Sequence, residues 1–235
     1  MSGASWRTVL WWTALAGAIE SAIVMGVVEK ALIPPVLIIA VLLAVGAVLL
    51  RGSGQAGVRI ATIALVLFLV SNLVFAGPNL AVPASFGSFA ATWVSAITAA
   101  VGVISGIASW RRRTARATAA RVGIAGIGLA VVAVVIGLVA SVGFTNAKPA
   151  AGEITLRAKN SKFAPTALAA SSGRVSFFLD NADNTLHNFH VLGVKSGTKT
   201  MPANHKTGFT VALAPGTYTY RCDFHTDMKG ALTVS

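Results

Sequence analysis

Tyr218-Thr219-Tyr220-Arg221-Cys222-Asp223-Phe224-His225-Thr226-Asp227-Met228-Lys229-Gly230 holds the one cysteine of this 235-residue chain, and His225 and Met228 follow it at two successive intervals of three. A single cysteine excludes an intramolecular disulfide, a Cys-x-x-Cys redox pair and a four-cysteine zinc site. The residues leading into it alternate as a strand does, so Cys222 shares a face with Tyr218 and Tyr220. That face is the one to bury, and the thiol should approach the core from a strand end, where water is excluded. On the oxidising side of a membrane a lone thiol is a liability unless something occupies it, and a metal would.

Thiolate, imidazole and thioether are donors of a blue-copper site, which takes a second imidazole from elsewhere in the chain. The segment Asp183-Asn184-Thr185-Leu186-His187-Asn188-Phe189-His190 can supply it. Parity puts His187 on a face with Phe189 and Val191, and His190 on the opposite face with Asn188. His187 is therefore favoured as the inward ligand, and His190 is left as a surface or secondary histidine. His205 has no partner at ligand spacing and is expected to be solvated. Thiolate and thioether favour Cu(I), whereas imidazole suits either oxidation state, so one compromise geometry can serve both. Two plainer readings stay open: the same fold without metal, and one holding zinc through the cysteine and histidines. A CuA centre would need a second cysteine in this loop. Multicopper oxidase chemistry would need several further histidine pairs, which the chain lacks.

Alternation of period two continues outward: Ile154, Leu156 and Ala158; Val175, Phe177 and Leu179; Val211 and Leu213. Turn signals at Ser171-Ser172-Gly173, Asp180-Asn181-Ala182-Asp183 and Ala214-Pro215-Gly216 separate these runs. Short strands at this spacing predict an all-β sandwich over residues 149–235. Thr145 to Gly152 has the composition of a polar linker.

Residues 150–235 resemble the cupredoxins, the small blue-copper proteins, and among them the amicyanin and plastocyanin group. The likeness rests on His187-Asn188-Phe189-His190 after an acidic, Asn-containing loop, and on Tyr220-Arg221-Cys222-x-x-His225-x-x-Met228-Lys229-Gly230 before the last strand. The two-residue gap between His225 and Met228 is the amicyanin-like one. The resemblance implies a Greek-key sandwich holding one type 1 copper ion that cycles between Cu(I) and Cu(II). His187, Cys222 and His225 would be strong equatorial ligands, Met228 a weak axial one, and Asn188 the residue that ties the two ligand loops together.

Upstream the solvent changes. The chain is 55% hydrophobic and 11% charged, with mean hydropathy +0.75, about half the charged fraction of a soluble protein. The long apolar runs fall in residues 1–148, where five transmembrane helices are predicted at about 8–28, 33–50, 58–76, 89–110 and 122–144. Gly77-Pro78-Asn79 is expected in a loop. The net charge of +12 would suggest nucleic acid in a soluble protein, but five of the ten basic residues before residue 150 crowd into Arg111–Arg121 between two apolar runs. That is a topology signal, and nucleic acid is not an expected partner. Arg51 and Arg59 flank another such loop, while the remaining two loops hold only Lys30. The N-terminus is therefore expected in the cytoplasm and the copper domain in the periplasm or outside the cell. The first span is too long for a removed signal peptide. Glu20 is an acid inside it, by default a functional candidate; the plainer reading places it near the outer end, protonated or bonded to a neighbouring helix near Asn72. Gly102 and Gly106 form a G-x-x-x-G suited to close helix packing.

The expected function is single-electron transfer by an integral membrane protein, with no substrate turnover, in exchange with a cytochrome or another electron-transfer protein. An anchor needs one span and this chain has five. The alternative is therefore a membrane copper-homeostasis protein whose outer domain captures or buffers copper. A third reading, a quinone- or partner-binding membrane module, has no ligand motif to support it.

Overall fold

The computed structural model describes residues 5–29, 32–225 and 227–235; Lys30, used above in the loop-charge comparison, lies outside the described residues. Helix α1 (Trp6–Ile23) runs on into a π-helical turn (Val24–Val28), followed by α2 (Pro34–Leu49), α3 (Gln55–Ala81), α4 (Phe86–Trp110) and α5 (Arg116–Val142). Nine strands follow: β1 (Ile154–Lys159), β2 (Lys162–Ala164), β3 (Ala167–Ala170), β4 (Gly173–Asn181), β5 (His187–Val191), β6 (Thr198–Met201), β7 (Lys206–Leu213), β8 (Gly216–Arg221) and β9 (Lys229–Val234). Two compact units result. One comprises Met1–Pro83 and Phe89–Leu138, the other Ala84–Ser88 and Val139–Ser235.

The expected count of five helices is not what the structure has: six helical elements occur among the described residues. Among the described residues four segments are long and apolar enough to cross a membrane: Trp6–Val28, Gln55–Leu73, Phe86–Trp110 and Arg116–Val142. Helix α2, with 16 residues, extends only about 24 Å. Its two prolines stand at the first helical positions, where a missing N–H is harmless. Helix α3 continues through Gly77-Pro78-Asn79 instead of stopping there. In an apolar setting a helix satisfies its own backbone whereas a loop does not, so the helix persists past the proline. The Asn79 amide also donates to Thr92 Oγ1 at 3.2 Å. Helix α5 starts at Arg116 rather than near residue 122, because arginine and alanine are strong helix formers.

Inside the helical unit, Leu10, Ala14, Leu43, Ala61, Ala64, Leu65, Phe68 and Ala99 pack as one cluster. Gly102 and Gly106 are used within the chain: a Cβ on the first would meet Leu65 and Thr13, and on the second Thr62. Glu20 is bonded to Thr98 Oγ1 on α4 at 2.8 Å. The partner expected for it was Asn72, whose amide instead donates to the Phe68 carbonyl on its own helix. Arg7 donates to the carbonyls of Leu50, Gly52 and Gly54. Arg51 lies over Trp11 and Arg59 over Trp110. Arg7, Arg51, Arg59, Trp11 and Trp110 thus stand at one end of the helices.

In the second unit, the strands form sheets of order β2-β1-β4-β7 and β3-β9-β8-β5-β6. β1–β4 and β3–β9 pair in parallel and the other neighbours antiparallel. Period-two alternation turns Leu156, Ala158, Val175, Phe177, Leu179, Phe189, Val191, Val211, Leu213 and Tyr220 into one core. Phe189 sits at its centre, with ring centroids 4.9 Å from Phe177 and 5.2 Å from Tyr220. Asn160 and Ser161, both at positive φ, make the two-residue turn between β1 and β2, as hairpin twist requires.

Residues 145–147 do not hang free. Ala147 N–H donates to the Lys206 carbonyl at 3.0 Å, and Lys206 N–H to Asn146 Oδ1 at 2.7 Å. His205, expected in solvent, is buried. Its Nε2 is 3.1 Å from Ser141 Oγ and its ring 4.4 Å from that of Phe144. Ligand spacing says nothing about packing, and the imidazole is used here as a flat, largely apolar body. Burial holds its pKa below the ordinary 6.5, against an opposing backbone hydrogen bond with Ala84. Because the folded state prefers the neutral ring, the unfolded state takes up the proton first as pH falls. Stability should therefore decline from about pH 6.5 downward until the lowered folded pKa is passed. His205→Gln should flatten that slope in denaturant titrations between pH 7 and 5, and an unchanged slope would refute the assignment.

Candidate metal centre

Asp183 organises the first ligand loop. Its carboxylate accepts the Asn160 and Ser161 N–H groups of the β1–β2 turn at 2.7 and 2.9 Å. It also accepts from His187 Nε2 at 2.9 Å. Burial pushes its pKa up, but the two backbone donors and His187 outweigh that and hold it below the usual 3.8. A carboxylate can only accept, so Nε2 carries the proton and Nδ1 is left with its lone pair. Asn181 braces the same loop: its amide donates to the carbonyls of Thr185 and Met201, and its Oδ1 accepts from Asp183 N–H.

The second loop follows β8. Cys222 N–H donates to the Met228 carbonyl at 2.8 Å and Met228 N–H to the His225 carbonyl at 3.0 Å, which closes the turn. Cys222 Sγ is 3.7 Å from His187 Nδ1 and 3.6 Å from His225 Nδ1, and the two Nδ1 atoms are 3.1 Å apart. The three donor atoms lie within 4.8 Å of one another, a cluster able to hold one metal ion. Met228, in the same turn, is fully buried, as is His187; His225 is part-exposed. Burial raises the Cys222 pKa, but the neighbouring His187 and His225 rings and the N–H groups of Asn188 and Phe224 outweigh it and bring it down to about 6. A thiolate at neutral pH is the form a soft metal takes.

Asn188 links the loops in both directions. Its amide donates to Asp223 Oδ2 at 2.8 Å, and its Oδ1 accepts Asp223 N–H at 2.7 Å. Asp223 also meets His190 Nδ1 at 2.9 Å and Arg221 Nε at 2.9 Å, so His190 is tied to this loop rather than to the cluster. Asn188→Ala should cost roughly 1–2 kcal/mol by removing both hydrogen bonds to Asp223. A denaturation midpoint equal to wild type would show that the two loops hold together without it.

Sequence reading brought out His187, Cys222, His225 and Asn188, and missed Asp183 as the group that orients His187. Its signal was present: an acid four residues before a histidine, in a turn, is in reach of the ring.

The fold and site together define a β-sandwich with a largely buried N₂S donor set beside a methionine, the chemistry of one type 1 copper ion. Residues 129–234 match the family model of the cupredoxin-like domain. Solved structures of amicyanin variants match as well. A reduced variant is 26% identical and a Cu(I) form 25% identical, each with TM-score 0.34 and covering 39% of this chain and 90% of that chain. A search of curated proteins found no match.

Proposed function

We propose that this chain is a membrane-anchored type 1 copper protein that passes single electrons on the non-cytoplasmic side. In this reading residues 1–148 are the membrane part, with α2 as a fifth, short span, and residues 149–235 the copper domain. His187, Cys222 and His225 bind the ion and Met228 completes the set. The convergence of three donor atoms within 4.8 Å, with His187 already oriented by Asp183, carries the proposal. Copper held there would supply one-electron exchange. The chain's own residues fix the imidazole, bury the thiolate and exclude water, so that little need move between oxidation states. His225 is the part-exposed donor and gives electrons their shortest way out. The basic residues gathered at one end of the helices support a cytoplasmic N-terminus. The partners are the bilayer and a cytochrome or similar redox protein.

The test uses the full chain in detergent, loaded with Cu(II) and mixed with a reduced cytochrome under stopped flow. Rapid, reversible bleaching of the visible band supports the carrier. A site that instead hands Cu(I) to an acceptor, without cycling, overturns it in favour of copper handling. Burial of His187, Cys222 and Met228 favours the carrier, because an ion enclosed by them is poorly placed for transfer.

A further inference from the structure

The segment Ala84–Ser88 belongs to the second unit although it lies far from it in sequence. Ser88 Oγ accepts the N–H of Leu186 at 3.0 Å, across 98 positions, and Ser85 Oγ accepts the N–H of Ala203 at 2.9 Å, across 118. All four residues are buried. Gly87 comes so close to the same loop that a Cβ on it would stand 2.5 Å from the Asn184 carbonyl oxygen.

Leu186 immediately precedes His187. The remainder of the loop is secured from within the sandwich: Asn181 holds the Thr185 carbonyl, Asp183 holds the His187 ring, and Asn204 N–H donates to the Asp183 carbonyl at 3.0 Å. The Leu186 N–H takes its partner from outside the strands. A peptide plane is rigid, so a displacement of Leu186 N passes to the His187 Cα with no soft torsion other than its own φ and ψ.

We infer that Ser88 is a positioning residue for the copper site: its hydroxyl sets where the His187 loop stands, and with it the His187–Cys222 geometry. The inference rests on the copper reading above. It gives residues well upstream of the sandwich a part in tuning the centre. The hydroxyl of Ser85 is the natural comparison, since it satisfies an equally buried N–H that is not next to a ligand.

The experiment is done on the full chain in detergent, loaded with Cu(II), by voltammetry and by electron paramagnetic resonance. Ser88→Ala should displace the reduction potential and the copper hyperfine splitting. Ser88→Thr, which keeps the acceptor oxygen, should restore both. Ser85→Ala should lose comparable stability with neither signature moved. If Ser88→Ala does not accumulate, Gly87→Ala is the second route, because its new methyl displaces the Asn184 carbonyl and should shift the same two signatures. A blue wild type whose Ser88 and Gly87 variants are spectroscopically unchanged overturns this inference alone, as does a Ser85→Ala shift equal to that of Ser88→Ala. A colourless wild type overturns the copper reading and this inference with it.

Discussion

Cys222→Ser is expected to abolish the intense visible band of the Cu(II)-loaded full chain and to leave a colourless protein that binds the metal far more weakly. The band is a thiolate-to-copper transition, and the chain holds no other thiol to take its place. A serine hydroxyl is about as large, so the core around Tyr220 and Met228 should still form; what is lost is the soft anionic donor. The thiol pKa of about 6 adds a pH signature. Metal requires the thiolate, so above about pH 6 the proton hardly competes. Below it, copper affinity should fall at least about tenfold per pH unit as protons compete with the metal for its donors. Competition with a chelator between pH 5 and 8 measures this. A band that survives in Cys222→Ser, or an affinity that keeps rising steeply above pH 7, would refute the assignment.

Gly230→Ala is expected to be the most damaging small change in the sandwich. Gly230 in β9 pairs with Tyr220 in β8, and a Cβ there would run into the Tyr220 ring, its hydroxyl and the Thr166 carbonyl. None can retreat. Tyr220 is fully buried, its hydroxyl donates to the Pro165 carbonyl at 2.7 Å, and its ring meets Phe163 and Phe189. The Thr166 carbonyl is held by Ala231 N–H at 2.8 Å. Overpacking of this kind costs about 3 kcal/mol, the upper end of the usual range. Amide exchange of β8 and β9 should speed up accordingly. Gly208→Ala, with nothing within 4 Å of its new methyl, should stay within about 0.5 kcal/mol of wild type. Equal exchange in the two variants would show that the Tyr220 contact yields.

The site was largely legible in the sequence because strand parity is binary. Once Tyr220 is assigned inward, Cys222 must follow, and Phe189 and Val191 carry His187 in with them. What escaped was whatever depends on contacts rather than on period. His205 carries no pattern that reveals Phe144 lying against it. Asp183 is one of several turn acids until the β1–β2 hairpin is built over it. In the helical part, Gly77-Pro78-Asn79 has the composition of a loop, but an apolar environment penalises open backbone more than proline penalises a helix. Arg116 and Arg121, read as part of a charged loop, stand in the first turns of α5 instead.

A last consequence is one of order in time. The second unit is not contiguous: Ser85 and Ser88 leave the ribosome before any strand exists, while the N–H groups they will accept come 118 and 98 residues later. Closing so long a loop costs little more than closing a short one, since the entropy grows only with the logarithm of length. Synthesis therefore lays down two hydroxyl acceptors first, and the sandwich finishes against them. No single cut in the chain frees this unit with all its bonds intact.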